Sequence, residues 1–180
     1  MKTYDSEIFA HYYWFENASR LQYSSEVLLN KLAELYKQKR SRKVDSLSKL
    51  QTEQLSIFQS HMMLTGYALE NLIKAVSVKS YTSQNKTISN FENLKKQVWQ
   101  VTDTHNLIVI ADKSNFKLTD EEKDLIKRHT EFIVWAGKYH IPKKKSKYDE
   151  VFCGSMLRRK KGDSKIIEDL FSRIKEYLDK

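Results

Sequence analysis

The sequence predicts an all-α protein, an up-and-down bundle of four to five helices. Only four glycines and one proline interrupt the 180 residues, which favours long helices over many short strands. Over long stretches, apolar residues recur at spacings of three, four and seven, the period of an amphipathic helix. The sequence has no internal repeat, no alternation of strand and helix patterns and no glycine-rich phosphate loop. Antiparallel packing of a few helices is the simplest way to bury such stripes.

Two long helices are predicted in the first half of the chain. The first runs from Asp5 to about Lys39, and Asp5 or Ser6 is its expected N-cap. The second runs from about Ser46 to Lys79. Gly66 interrupts its apolar stripe, where a glycine costs about 1 kcal/mol relative to alanine. This cost favours close packing of a neighbouring helix against Gly66, with a tolerated surface glycine as the alternative.

Shorter elements are predicted to follow. The polar stretch 80–90 indicates a loop, and residues 91–101 fit a short helix. Thr104 is the expected N-cap of another short helix that ends near Ala111. This placement puts His105 in a first turn, where the positive helix end favours a neutral imidazole. Such a ring can act as an acid or a base, or it can equally hold the loop in place.

The clearest helix start is Thr119-Asp-Glu-Glu122, which has the spacing of a capping box. The helix that it opens is expected to run to about Tyr139, before Pro142. Within it, His129 is predicted to face the core as a packed, hydrogen-bonded histidine. Ser164 is the expected cap of the last helix.

We therefore expect one helical domain over residues 1–180. Its core bundle spans about 5–142, a basic connector spans 143–163, and a C-terminal helix spans 164–179.

The net charge of +9 is concentrated in two segments. One is the run 37–43, and the other is 143–161, with eight basic residues against two acidic ones. Together they suggest a nucleic-acid patch, with two solvated segments as the alternative. The residues predicted for the patch are Lys143, Lys144, Lys145, Arg158, Arg159 and Lys160.

The composition also indicates the cellular compartment and the kinds of site that the chain can form. A single cysteine, Cys153, cannot form an internal disulfide, and residues 1–7 lack the apolar stretch of a signal peptide. No run approaches the roughly 18 apolar residues of a membrane span. We expect a soluble, cytoplasmic protein that does not bind a membrane. One cysteine and five scattered histidines give no zinc spacing, so no metal or other cofactor is predicted.

Polar residues beside apolar stripes in three segments predict a shared site. On the second helix, Glu70 and Lys74 have the favourable order for a helical ion pair. Near the end of the capping-box helix, Arg128 and Glu131 lie on one side at about 100° per residue. The predicted site residues are Glu70, Asn71, Lys74, His105, Arg128, Glu131, Lys138 and Tyr139.

These three segments resemble the HEPN superfamily, and small bacterial members most of all. The corresponding stretches are Gly66 to Lys74, His105 to Leu107 and Glu131 to Tyr139, and the resemblance covers about residues 5–142. It implies a bundle of four or five helices, frequent dimerisation, and a role in RNA cleavage or nucleotide binding. Many members act in phage defence or in toxin–antitoxin pairs, which would supply a protein partner.

The HEPN nucleases carry an arginine followed, after four to six residues, by a histidine. This chain has no such pair. The required positions before His140 hold Ile133, Val134 and Trp135, and those before His129 hold Glu122, Lys123 and Asp124.

The leading hypothesis is therefore a dimeric, HEPN-like protein that binds RNA or a nucleotide without catalysis. Arg128 and Lys138 would contact phosphate, Tyr139 would stack or donate a hydrogen bond, and Glu131 would orient a base. One alternative is a non-catalytic interaction module with a buried polar network. Another is a divergent, metal-independent ribonuclease in which His105 or Glu131 is the general base and Lys138 stabilises phosphorane charge.

Overall fold

The predicted all-α fold is confirmed by a computed structural model of the protein, which describes residues 10–37, 49–86, 88, 90–101, 103–137 and 157–180. Within these residues there are six α-helices and no strand. Two of the helices continue as π-helical turns, π1 and π2, in which the hydrogen-bond ring is one residue larger. The elements are α1 (His11–Lys37), α2 (Lys49–Thr82), α3 (Phe91–Asn93), π1 (Leu94–Trp99), α4 (Leu107–Lys113), α5 (Asp120–Glu131), π2 (Phe132–Ala136) and α6 (Asp163–Leu178).

The helices α1 and α2 form an antiparallel pair along most of their length. Three hydrogen bonds mark the register: Asn17 to Asn71, Ser25 to His61, and Gln54 to the carbonyl of Leu35. These bonds pair rising residue numbers on α1 with falling residue numbers on α2, so the two helices run in opposite directions. This pair forms the frame against which the shorter helices pack.

The core has two parts. The larger joins the second half of α2 to π1, α4, α5 and α6, and its largest fully buried side chain is Trp99. The smaller lies at the other end of α5, where Met62 packs with Phe132, Trp135 and Ala136.

The close approach predicted at Gly66 is confirmed. A Cβ atom on Gly66 would lie 2.6 Å from Cγ2 of Ile133 and 2.8 Å from the carbonyl oxygen of His129. Only a residue without a side chain lets α2 and the α5–π2 helix come this close.

The capping box at the start of α5 is also confirmed. The Thr119 hydroxyl accepts from the Glu122 backbone N–H, and the Glu122 carboxylate accepts from the Thr119 N–H. The same carboxylate binds Arg173 of α6 at 2.5 Å. This ion pair and the Arg128–Asp163 pair lie at opposite ends of the α5–α6 contact, which is therefore antiparallel.

Two predicted helix caps are wrong. The helix α4 begins after Asn106, so Thr104 and His105 lie in the turn before it and not in its first turn. The helix α6 begins at Asp163 after Gly162, which has a φ of 98° and makes no side-chain cap, so Ser164 is already inside the helix. The predicted loop at Ser80 is also displaced, because α2 continues to Thr82.

Several predictions fall outside the described residues. They include the caps Asp5 and Ser6, the site residues Lys138 and Tyr139, and the patch residues Lys143, Lys144 and Lys145. None of the described helices combines the length and apolar character needed to cross a membrane.

Candidate functional site

Glu70, Lys74 and His105, which come from two of the three segments of the predicted site, lie in contact. Lys74 Nζ donates to Glu70 Oε1, and His105 Nδ1 lies 3.1 Å from Glu70 Oε2. Lys74 Nζ also lies 4.3 Å from the centre of the Trp99 ring and 5.9 Å from that of Trp14. We call these five side chains the Glu70 cluster.

Local geometry explains how the Glu70 cluster forms. Glu70 and Lys74 are one turn apart on α2, and His105 is held in its turn by a hydrogen bond from its N–H to Asp103 Oδ1. Trp99 ends π1 and meets Trp14 of α1 edge to face, with ring centres 5.8 Å apart. The two indoles enclose the ammonium of Lys74 by cation–π contact, which is stronger in a desolvated place.

Exposure differs within the Glu70 cluster. The side chains of Glu70 and Lys74 are 9% and 8% exposed, whereas that of His105 is 35% exposed. When His105 donates its Nδ1 proton to Glu70, Nε2 is the nitrogen that can accept one. The pair then has the arrangement of a base held by a carboxylate.

Asn71 lies beside this cluster but faces α1. Its side-chain oxygen accepts from Asn17 at 3.1 Å, and its NH₂ group donates to the carbonyl of Tyr67. The amide therefore joins α1 to α2.

Arg128 lies in a different cluster, which ties α5 to α6. Its guanidinium donates two hydrogen bonds of 2.8 Å to Asp163 and one of 2.9 Å to Asp124. It also donates to the carbonyl of Arg158. Although burial alone would raise the pKa of Asp163, the bonds from Arg128 hold it below the usual value. We call Arg128, Asp163 and Asp124 the Arg128 cluster.

Glu131 occupies a third location. Its carboxylate accepts a 2.6 Å hydrogen bond from the indole of Trp135, one turn further on. Both side chains are buried, and Trp135 belongs to the smaller apolar cluster around Met62. Arg128 and Glu131, which the sequence assigns to one side of a helix, thus make different contacts.

Two buried histidines join α1, α2 and α5. The prediction for His129 is confirmed, because it is fully buried and its Nδ1 lies 3.1 Å from the carbonyl oxygen of Met62. His61 is 3% exposed, and its Nδ1 lies 2.7 Å from the Ser25 hydroxyl. Burial lowers the pKa of His129 to about 4, and that of His61 falls below its ordinary value for the same reason. The Nε2 atoms of both rings are buried and have no hydrogen-bond partner among the described residues.

The described residues of the predicted basic patch mostly make hydrogen bonds to other residues of the protein. Arg159 donates to the Ser164 hydroxyl, and Lys160 donates to Asp124 at 2.9 Å. The carbonyl of Arg158 accepts from Arg128, and Arg158 itself is exposed.

A basic depression that the sequence prediction missed lies on the outer side of π1. It measures about 580 Å³ and is lined by Glu92, Lys95, Lys96, Gln100, Val101 and Lys113. We call it the lysine depression. Trp99 points into the core from the same π-helical turn that carries Lys95 and Lys96, so the lysine depression and the Glu70 cluster share one element.

A smaller pocket of about 200 Å³ adjoins the lysine depression and shares Gln100 and Lys113 with it. We call it the polar pocket. It lies among the C-terminal ends of α2, π1 and α4. Its lining residues are Ser77, Ser80, Tyr81, Gln84, Lys86, Gln97, Val98, Gln100, Lys113 and Ser114.

The sequence carried only a partial signal for these surfaces. Lys95, Lys96 and Lys113 are isolated from the two basic runs that dominate the net charge, and the helical wheel of a regular helix does not apply to π1. Within the part of the chain that the structure describes, no three histidine, cysteine or carboxylate side chains form a metal-binding group.

Comparison of the chain with protein-family models, with curated proteins and with solved structures finds no match to any of them.

Proposed function

We propose that the protein binds RNA or a nucleotide, and that the lysine depression on π1 is the binding surface. The observation that carries the proposal is the size and charge of this depression. Its volume of about 580 Å³ lies in the range of roughly 300–1,000 Å³ that is usual for ligand pockets. Three lysines and one glutamate are among the described residues that line it, and together they carry a net positive charge.

The lysines are placed to contact phosphate as point charges. Lys96 and Lys113 are exposed, and the Lys95 ammonium lies 4.0 Å from Glu92, at the outer limit of an ion pair. An exposed pair of this kind contributes little and is easily exchanged for a phosphate contact. Phosphate binding is thereby assigned to π1 and α4, in place of Arg128, whose guanidinium is enclosed by Asp163 and Asp124.

We further propose that the protein is a HEPN-like bundle, in keeping with the resemblance of its sequence. The support is the contact between Glu70 and His105, which joins two of the three segments that carry the resemblance. Dimerisation, a protein partner and a place in phage defence or a toxin–antitoxin pair are proposed by analogy with that family alone.

A ribonuclease is the second candidate, and the Glu70–His105 pair is the observation in its favour. A carboxylate that holds a partly exposed imidazole is a common arrangement for a general base. The high burial of Glu70 and Lys74 favours instead the interaction module, in which this cluster holds helices together.

The test is a titration of a short, fluorescently labelled single-stranded RNA followed by anisotropy. Lys95→Gln/Lys96→Gln removes two charges from the lysine depression, and we expect it to raise Kd on the order of tenfold, equivalent to about 1.4 kcal/mol. Lys127→Gln/Lys175→Gln is the matched control, because it removes the same charge from exposed positions outside that depression.

Equal losses in the two double variants would contradict a localised binding surface. Absence of RNA and nucleotide binding by the wild-type protein would leave the interaction module as the better account. Denaturing gels of the same mixtures distinguish the nuclease, since cleavage that disappears in a folded His105→Gln variant would assign the general base to His105.

A further inference from the structure

The polar pocket has the composition of a site for one charged group. Lys86 and Lys113 are its two charged lining residues, and no carboxylate occurs among the described residues that line it. Its volume of about 200 Å³ is below the roughly 300–1,000 Å³ of pockets that enclose a whole drug-sized ligand. The polar pocket is thus suited to part of a ligand whose remainder lies in the adjoining lysine depression.

Both lysines are positioned by the fold and retain unused donors. Lys86 Nζ donates to the side-chain oxygen of Gln84 at 2.7 Å and lies 5.3 Å from the ring centre of Tyr81. Lys113 Nζ donates to the carbonyl of Gln100. Since an ammonium has three N–H donors, each lysine has two left after the one hydrogen bond that it makes to the described residues.

The helix ends around the polar pocket oppose an anion only weakly. The C-terminal ends of α2, π1 and α4 lie there, and each carries roughly half a negative elementary charge when its carbonyls are unsatisfied. Carbonyls at all three ends already accept hydrogen bonds: Ser83 N–H donates to Lys79, Gln100 N–H donates to Lys95, and Ser114 N–H donates to Ile110 and Ala111. The two ammonium groups therefore outweigh the helix ends, and the local field is positive.

The hydroxyls at the floor suit a phosphate ester better than a bare anion. Ser77 and Ser114 donate their hydroxyl protons to the carbonyls of Lys74 and Ile110, so their oxygens are left as acceptors. The serine oxygens at the floor can accept a hydrogen bond from a sugar hydroxyl, and the lysines at the rim can donate to the phosphate attached to that sugar.

We propose that the polar pocket binds the terminal phosphate of an RNA strand or a nucleotide, with the adjacent ribose, while the rest of the ligand follows the lysine depression. This inference deepens the proposed function and rests on it. The recognised chemistry is a phosphomonoester dianion, which a strand end or a free nucleotide carries and which the phosphodiesters inside a strand lack.

The test compares two RNAs of identical sequence, one ending in phosphate and one ending in hydroxyl. The comparison is made once for the 5′ end and once for the 3′ end, and the fluorophore is always attached to the opposite end. The wild-type protein is expected to bind one phosphorylated form about tenfold more tightly, because a charge-assisted contact is gained. Lys86→Gln, which alters the polar pocket alone, should remove this preference. Lys96→Gln, which alters only the lysine depression, should weaken the binding of both RNAs and preserve the ratio of their affinities.

A parallel titration with a nucleoside monophosphate and with inorganic phosphate separates the two proposals. If RNA does not bind but the monophosphate does, in a manner lost in Lys86→Gln, the polar pocket is a phosphate site and RNA binding is wrong. If inorganic phosphate binds as tightly as the monophosphate, the ribose does not contribute to binding, and that part of the proposal is wrong. Equal affinity for phosphate and hydroxyl ends, with no binding of the monophosphate, overturns the inference, as does a preference that survives in Lys86→Gln.

Discussion

The Glu70 cluster and the Arg128 cluster contain the same kinds of charged side chain but enclose them to different degrees. Arg128 is surrounded by Asp163, Asp124 and a backbone carbonyl, and its side chain is 3% exposed. The Glu70 cluster ends in His105, whose side chain is 35% exposed. The Arg128 cluster also reaches solvent, at Asp124, whose side chain is 47% exposed. That carboxylate accepts from both Arg128 and Lys160, whereas the exposed His105 keeps a ring nitrogen that can accept a proton. The comparison shows that the partners of the exposed member, and not exposure alone, determine whether a charged cluster is available to a ligand.

The largest expected effect is on the Arg128 cluster. Arg128→Met leaves the carboxylate of Asp163 buried without its bidentate partner, which costs about 3–5 kcal/mol for a broken buried ion pair. Chemical denaturation should show this loss as a lower midpoint with an unchanged slope. The double variant Arg128→Met/Asp163→Leu removes both charges and should recover part of the stability. Equal losses in the single and double variants would mean that the pair itself matters little.

A second prediction concerns acid stability and the buried His129. Its folded-state pKa, about 4, lies below the ordinary 6.5, so folding favours the neutral ring. The contribution to stability is complete above pH 6.5 and is lost as the pH falls from 6.5 towards 4, by about 3 kcal/mol for this residue. Within this window, the free energy of unfolding of His129→Gln should depend less on pH than that of the wild type.

His61 shifts in the same direction, so His61→Gln/His129→Gln should flatten the pH profile further. The histidine His11, which is only partly buried, provides the control: His11→Gln should leave most of the pH dependence in place. A profile unchanged in His129→Gln would show that the buried ring is not the group that titrates.

The comparison also shows which features could be predicted from the sequence. The capping box at Thr119 and the close approach at Gly66 depend on residues near in sequence or on one steric requirement, and both predictions are confirmed. The caps at Thr104 and Ser164 are wrong because tertiary contacts compete with local preference. Asp163 accepts from Lys160 N–H and binds Arg128, which moves the N-cap of α6 from the predicted Ser164 to Gly162.

The contacts of the predicted site residues could be foreseen only in part, for a similar reason. Glu70 and Lys74 pair within one helix, which the sequence spacing predicts, and His105 lies in contact with Glu70. The helical wheel places Arg128 at an accessible shoulder but carries no information about which helix covers it. Lys95 and Lys96 were missed because π1 departs from the period of 3.6 residues on which such wheels depend.

A smaller effect is expected for Glu70→Gln. The substitution keeps the size of the side chain and one acceptor, but it removes the negative charge beside Lys74, at a cost of about 1–3 kcal/mol for a weakened charge-assisted bond. Thermal unfolding measures this loss, which should be less than that of Arg128→Met. RNA affinity that falls together with stability in Glu70→Gln would assign the cluster a role in binding, and affinity that stays unchanged would make it structural.

The most direct test of the account is the salt dependence of RNA binding. Three phosphate contacts on a single strand predict a slope of log K against log salt concentration near −2, at about 0.7 for each phosphate. In Lys95→Gln/Lys96→Gln the slope should fall in magnitude by about 1.4, whereas Lys127→Gln/Lys175→Gln should retain the wild-type value. A slope that is the same in all three proteins would contradict phosphate binding in the lysine depression.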